Sequence, residues 1–166
     1  MDIRHEALAI APVVLKQLRE RDDAGLVPRP YTDPEGGAPL RCCLRHSEAG
    51  ERIVLVSYAP LRRWAAATGA EPGPYDEVGP VFVHAGECGG RLPGSGDPAE
   101  LHGARRVLRA YGADGRILGG TLVELPKERA AEVDGVLREV FADPDVALVH
   151  VRAVEFGCFM VEIRRR

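Results

Sequence analysis

The sequence predicts an α+β fold: a mostly antiparallel sheet built from hairpins, with an N-terminal helix and one longer helix near residues 126–142. Three observations carry that expectation. Strand-like runs follow one another in pairs joined by short turns, most clearly around Asp114-Gly115, a dipeptide suited to tight hairpins. Helical periodicity appears in only two stretches, and these stand apart from the strand pairs, so strict βαβ alternation is absent. The 166 residues, 45% of them hydrophobic, suffice for one core without a disulfide or structural metal. A single domain over residues 1–166 is expected.

Pro12 suits the first turn of a helix, and Val14, Leu15 and Leu18 then share a side while charged residues take the rest, ending near Gly25. Residues 27–39 hold four prolines and an adjacent glycine pair, so they form a loop and not a ladder. Alternation over 40–45 predicts a half-buried strand, with Leu40, Cys42 and Leu44 on one face and Arg41, Cys43 and Arg45 on the other. The turn Ser-Glu-Ala-Gly-Glu joins it to 52–58, whose apolar Ile-Val-Leu-Val core reads as a central strand, and the two are expected to form a hairpin. A third strand covers 81–84, and an irregular stretch follows over 86–103. Strands at 105–111 and 116–124 flank the Asp114-Gly115 turn. Pro126 opens the longer helix, with Val133, Val136, Leu137, Val140 and Phe141 as its apolar stripe and Asp143-Pro144 as its stop. Residues 146–153 and 157–164 make the last hairpin.

A formal net charge of -3 gives no broad basic field, which argues against nucleic acid as a partner. Residues 7–15 resemble an export signal only superficially, because acidic residues precede them and no cleavage site follows. No apolar run is long enough to span a bilayer, so a cytoplasmic protein without a membrane partner is expected. Cys42, Cys43, Cys88 and Cys158 read as reduced thiols, since two are adjacent and the chain needs no staple.

The segments PLRCCLRHSEAGE, GPYDEVGPVFVH, RAYGADGRI and HVRAVEFGCFMVEIRR resemble, in that order, the blocks of a bacterial family of unknown function, DUF1203. The resemblance runs from about Gly37 onward. It implies a small single-domain cytosolic protein and brings no catalytic residue with it.

The last hairpin supplies one candidate site. With a three-residue loop at 154–156 and Gly157 at positive φ, Val149 faces Val161, Val151 faces Phe159, and Arg152 lies opposite Cys158. His150 then lies opposite Met160, with Glu162 diagonal to it. Read as chemistry, Cys158 is a nucleophile, His150 its base and Arg152 the stabiliser of its thiolate. Read as structure, Cys158 and Met160 pack under a helix and Arg152 pairs with Glu162 in solvent.

A second candidate is a small anionic ligand held by Arg41, Arg109, Tyr75 and His84. Arg41 and Arg45 share one strand face, Arg105 and Arg109 another, and neighbouring rows would gather guanidinium groups. Tyr75 sits with Asp76 and Glu77 in a loop bracketed by Gly and Pro, a common setting for binding residues. The bland readings are a solvated sheet face and plain turn chemistry. A metal site from His84, Cys88, His150 and Cys158 lacks any CxxC or HxxxH pair, so no metal and no cofactor are expected. The glycines at 86–96 lack the strand-to-helix context and the lysine of a phosphate loop. Three functions therefore stand side by side: small-ligand binding, a thiol-dependent enzyme, and a structural protein acting through a homodimer.

Overall fold

The computed structural model describes residues 3–92, Pro98 and 105–166. Among these residues two five-stranded sheets and three α-helices form an α+β fold. In chain order they are β1 (His5–Leu8), α1 (Pro12–Glu20), β2 (Tyr31–Thr32), β3 (Pro39–Leu40), β4 (Arg45–His46), β5 (Arg52–Tyr58), α2 (Pro60–Thr68) and β6 (Gly79–His84). Then come β7 (Arg105–Gly112), β8 (Ile117–Glu124), α3 (Val133–Phe141), β9 (Val146–Ala153) and β10 (Phe159–Arg165). The first sheet runs β1-β10-β9-β7-β8, and the second runs β2-β5-β6-β3-β4.

The first sheet is antiparallel throughout, and its inner face is the main core. Leu108, Val149, Val151, Val161 and Ile163 meet Val133, Leu137 and Phe141 of α3 there. The predicted helix over 126–141 begins as a 3-10 segment, Lys127–Glu132, and becomes α-helical only at Val133. Val133, Leu137 and Phe141 are buried as expected, while Val136 and Val140 flank the contact half-buried. The opposite face meets α2 through Leu61 and Trp64 against Tyr111 and Leu148. Phe159 reaches from that face into the second sheet's cluster beside Tyr58, their ring centroids 5.6 Å apart.

The expected hairpin of 40–45 with 52–58 does not form. Segment 40–45 splits into β3 and β4, which pair with each other around a turn, while β5 pairs with β2 and β6. Arg41, Cys42, Cys43 and Leu44 are all buried, which a half-buried strand with one solvated face does not give, and Leu44 adopts φ 59 to close the turn. β3 instead lies parallel to β6 through Leu40 and Phe82. Three elements lie outside the sequence expectation: β1, which pairs with β10, α2, and β2, a two-residue strand that pairs with β5 inside the stretch 27–39 expected to be loop throughout, since Tyr31 and Thr32 fall between the prolines and keep their amides.

The last hairpin also departs from its expected register. Gly157 does take φ 69, but Phe159 pairs with Arg152 and, after a bulge, Val161 pairs with Val151. The bulge reconciles two demands on consecutive residues. Phe159 turns to the second sheet, and Met160 turns to the α3 side. Val149, Val151, Val161 and Ile163 keep their common buried face, with Glu162 directly opposite His150 instead of diagonal to it.

Candidate metal centre

Successive side chains of a strand point to opposite faces, so adjacent cysteines converge on one point only where the chain turns. The turn between β3 and β4 does this for Cys42 and Cys43, closed by the Leu44 amide donating to the Leu40 carbonyl at 2.9 Å. Arg41 anchors the turn from the other side. Its Nε donates to the Phe159 carbonyl at 2.9 Å and its Nη2 donates to the same oxygen at 2.6 Å, with Pro39 O as a further acceptor. Residue 84 ends β6, and Cys88 follows on a loop whose Gly89 and Gly90 both adopt positive φ. Arg19 of α1 holds this segment, donating to the carbonyls of His84 at 2.9 Å and Gly86 at 2.8 Å.

These three pieces of chain bring Cys42, Cys43, His84 and Cys88 together, with one ligand atom from each and all four atoms within 4.8 Å of one another. Cys42 Sγ is 3.3 Å and Cys43 Sγ 3.8 Å from His84 Nδ1, and the two sulfurs are 3.9 Å apart. Tetrahedral Zn²⁺, with bonds of about 2.3 Å to sulfur and about 2.0 Å to nitrogen, places its ligand atoms roughly 3.5 to 3.8 Å apart. The observed spacings bracket that range. On the far side of the imidazole, Nε2 lies 3.0 Å from Glu51 Oε1, a carboxylate held in turn by Arg45 at 2.7 and 3.0 Å. A carboxylate on the outer nitrogen fixes the tautomer that leaves Nδ1 free as a ligand. Arg45 also holds the Glu51 carboxyl well below the usual carboxylate range.

The two adjacent thiols perturb each other in opposite directions. A hydrogen bond from Cys42 draws the Cys43 thiol down to about 6, and that bond together with burial pushes Cys42 up. Thiolate is the form that binds metal. Cys42 and Cys88, but not Cys43 or His84, line a cavity of about 1300 Å³ together with β1, α1 and residues 86–92.

The other sequence candidates fall elsewhere. His150 is 1% exposed, bonds Glu162 through Nε2 at 3.0 Å, and packs its ring against Tyr111 and Phe159. Burial lowers its pKa against the pull of Glu162, so it stays neutral while Glu162 stays ionised. Cys158 packs with the α3-side cluster and meets Arg41 Nη2 at 3.5 Å, whereas Arg152 turns to the Gly157 carbonyl and to Glu77. His150, Arg152 and Cys158 therefore do not converge. Arg41, 2% exposed, ties the two sheets together instead of facing a ligand, and the Arg41/Arg45 row dissolves because both flank a turn. Tyr75 lies exposed in the 3-10 turn Gly73–Tyr75. Arg109 faces Glu77, and His84 belongs to the cysteine cluster. Of the four metal ligands weighed from sequence, only His84 and Cys88 stay together. The argument from spacing, on which the expectation of no metal rested, does not reach a centre assembled from distant segments. The glycine-rich stretch 86–96 lies partly outside the described residues.

Residues 37–165 match the family described as "Protein of unknown function (DUF1203)", a span that takes in all four candidate ligands. The chain belongs to this family. No curated protein and no solved structure matches it. Among the described residues, no helix is long and apolar enough to cross a membrane.

Proposed function

We propose that this DUF1203 chain binds a thiophilic divalent metal, Zn²⁺ foremost, through Cys42, Cys43, His84 and Cys88. One observation carries the reading: three sulfurs and an imidazole nitrogen, from one turn and from the end of β6 with the loop after it, lie within 4.8 Å of one another, and Cys42, Cys43 and His84 stand at nearly the spacing a tetrahedral ion imposes. Three thiolates favour Zn²⁺ over hard divalent cations such as Mg²⁺ and Ca²⁺. Four protein ligands leave no open position for a substrate, so the metal's role is to hold the loop at residue 88 against the turn at 42–43. A cytoplasmic setting, where thiols remain reduced, belongs to the same proposal.

One feature favours a second reading, a thiol-dependent enzyme. Cys42 Sγ, His84 and Glu51 form a nucleophile-base-carboxylate line, at 3.3 and 3.0 Å. Against it, Cys42 is fully buried, whereas reactive thiols are partly exposed. Elemental analysis of protein purified without added metal tests both. The metal reading expects one zinc per chain, reduced by Cys88→Ser and abolished by the double change Cys42→Ser, Cys43→Ser. Metal-free protein that also fails to take up Co²⁺ with the visible absorption of tetrahedral thiolate coordination would overturn it. Rapid alkylation of Cys42 in such protein would support the enzyme.

A further inference from the structure

Outside the cysteine centre, two guanidinium groups converge on one carboxylate. Arg109 of β7 and Arg152 of β9 lie on neighbouring strands, on the face they share with His150 and Tyr111. Arg109 Nη1 is 3.0 Å and Arg152 Nη2 3.3 Å from the same atom, Glu77 Oε2. The two sides of this contact differ in how they are held. The arginine side chains are 25% and 16% exposed, and each has a second partner: Tyr111 Oη for Arg109 at 3.5 Å, the Gly157 carbonyl for Arg152 at 3.0 Å. Glu77 is 50% exposed and sits between the 3-10 turn Gly73–Tyr75 and the start of β6. The cations are fixed by the sheet, and the anion belongs to a loop.

Charge and shape both suggest that this anion occupies a place an external one can take. Among the described residues two positive charges share a single carboxylate, because Glu162, on the same face, is already bonded to His150 and Arg164. Glu77 offers both arginines one oxygen, whereas a carboxylate free of the loop can set an oxygen against each guanidinium, the geometry that makes arginine pairs selective for carboxylates.

We propose that Arg109 and Arg152 form a binding site for the carboxylate of a small organic acid, with Glu77 as a built-in occupant that the acid displaces. This site is independent of the metal proposal.

Glu77→Ala removes the occupant and leaves the room of its side chain, so propionate is the probe, with uncharged propionamide as its control of equal shape. By titration calorimetry, propionate is expected to bind Glu77→Ala at least tenfold more tightly than the unmodified protein. Propionamide should not bind, and adding Arg152→Gln should abolish the effect. Propionate binding Glu77→Ala no better than the unmodified protein, or equally well after Arg152→Gln, would overturn the proposal and leave Glu77 a structural latch. If Glu77→Ala proves too unstable to titrate, Glu77→Gln, which keeps the packing and drops the charge, takes the same titration with acetate under the same criteria.

Discussion

The two sheets solve the same problem by different means. In the first, β7, β8 and β9 have eight residues each and β10 has seven, and long ladders lay a continuous apolar face against α3. In the second, β2, β3 and β4 have two residues each, too few to hold a sheet edge by ladder bonds alone. Side-chain chemistry makes up the difference there. Asp33 accepts from the amides of Glu35 and Gly36 and from the Ser47 hydroxyl, and Ser47 accepts in turn from the Ala38 amide. Asp22 caps the Ala24 and Leu26 amides and reaches the Ser57 amide in β5. Long ladders leave little freedom for ligands, whereas short strands closed by polar side chains can place four ligands from three segments around one point.

The difference can be broken first at the metal. A structural zinc centre contributes binding energy directly to folding, on the order of 10 kcal/mol in small zinc domains. If the proposed zinc is bound, stripping it, or the change Cys88→Ser, is therefore expected to lower the melting temperature more than any single core truncation. Hydrogen exchange should rise in β3, β4 and β6 before it rises in β9. A metal-stripped protein that melts like the loaded one would show that the second sheet stands on its hydrogen bonds alone.

Next in size comes the first sheet's core. Leu137 is fully buried against it, so Leu137→Ala should cost about 2 to 5 kcal/mol by chemical denaturation without changing metal content. A variant as stable as its parent would remove α3 from the core. Asp22→Ala should cost roughly 1 to 3 kcal/mol, because it leaves three backbone donors without their acceptor, one of them in the interior strand β5. An unchanged denaturation midpoint would mean that water replaces the carboxylate at no cost.

The smallest effect is a pH dependence. His150 has a folded pKa below its ordinary 6.5, chiefly from burial, so the unfolded chain takes up its proton first and stability falls as pH drops below about 6.5. Glu162 is held below its ordinary 4.5, because bonds from His150 and Arg164 outweigh the effect of burial. Its contribution is complete above about 4.5 and is lost as pH falls further toward its lowered value. Denaturation midpoints at pH 7 and 5.5 should therefore differ, and His150→Gln should flatten that difference. An equal slope in the variant would assign it to other groups, among them the cysteine centre.

Legibility from sequence follows the same division. The hairpin of β7 and β8 and the buried stripe of α3 could be read because period, turn dipeptide and stop signal all lie within a few residues of one another. Helix α2 also carried local signals, Pro60 in its first turn and Gly69 in a left-handed cap just past its end. The segment at 40–45 misled because its alternation is genuine, yet burying Arg41 against the Phe159 carbonyl, 118 residues away, overrides it. The Phe159 bulge and the cysteine centre were illegible for one reason: each is decided by a partner distant in sequence, and spacing rules see only neighbours.

That separation also orders assembly. Apart from β1, the first sheet draws its strands from residues 105–165, and the second draws all of its strands from residues 31–84. Each half of the chain can close its own loops over short contour, where the entropic cost of closure is least. β1 is the exception, since His5 pairs with Arg165. The expected sequence of events is two locally nucleated sheets, their joining through Arg41 and Phe159, and β1 laid down last along β10. Pulse-labelled exchange during refolding would show this as late protection of residues 5–8. Early protection there would mean that the chain ends meet before either sheet is complete.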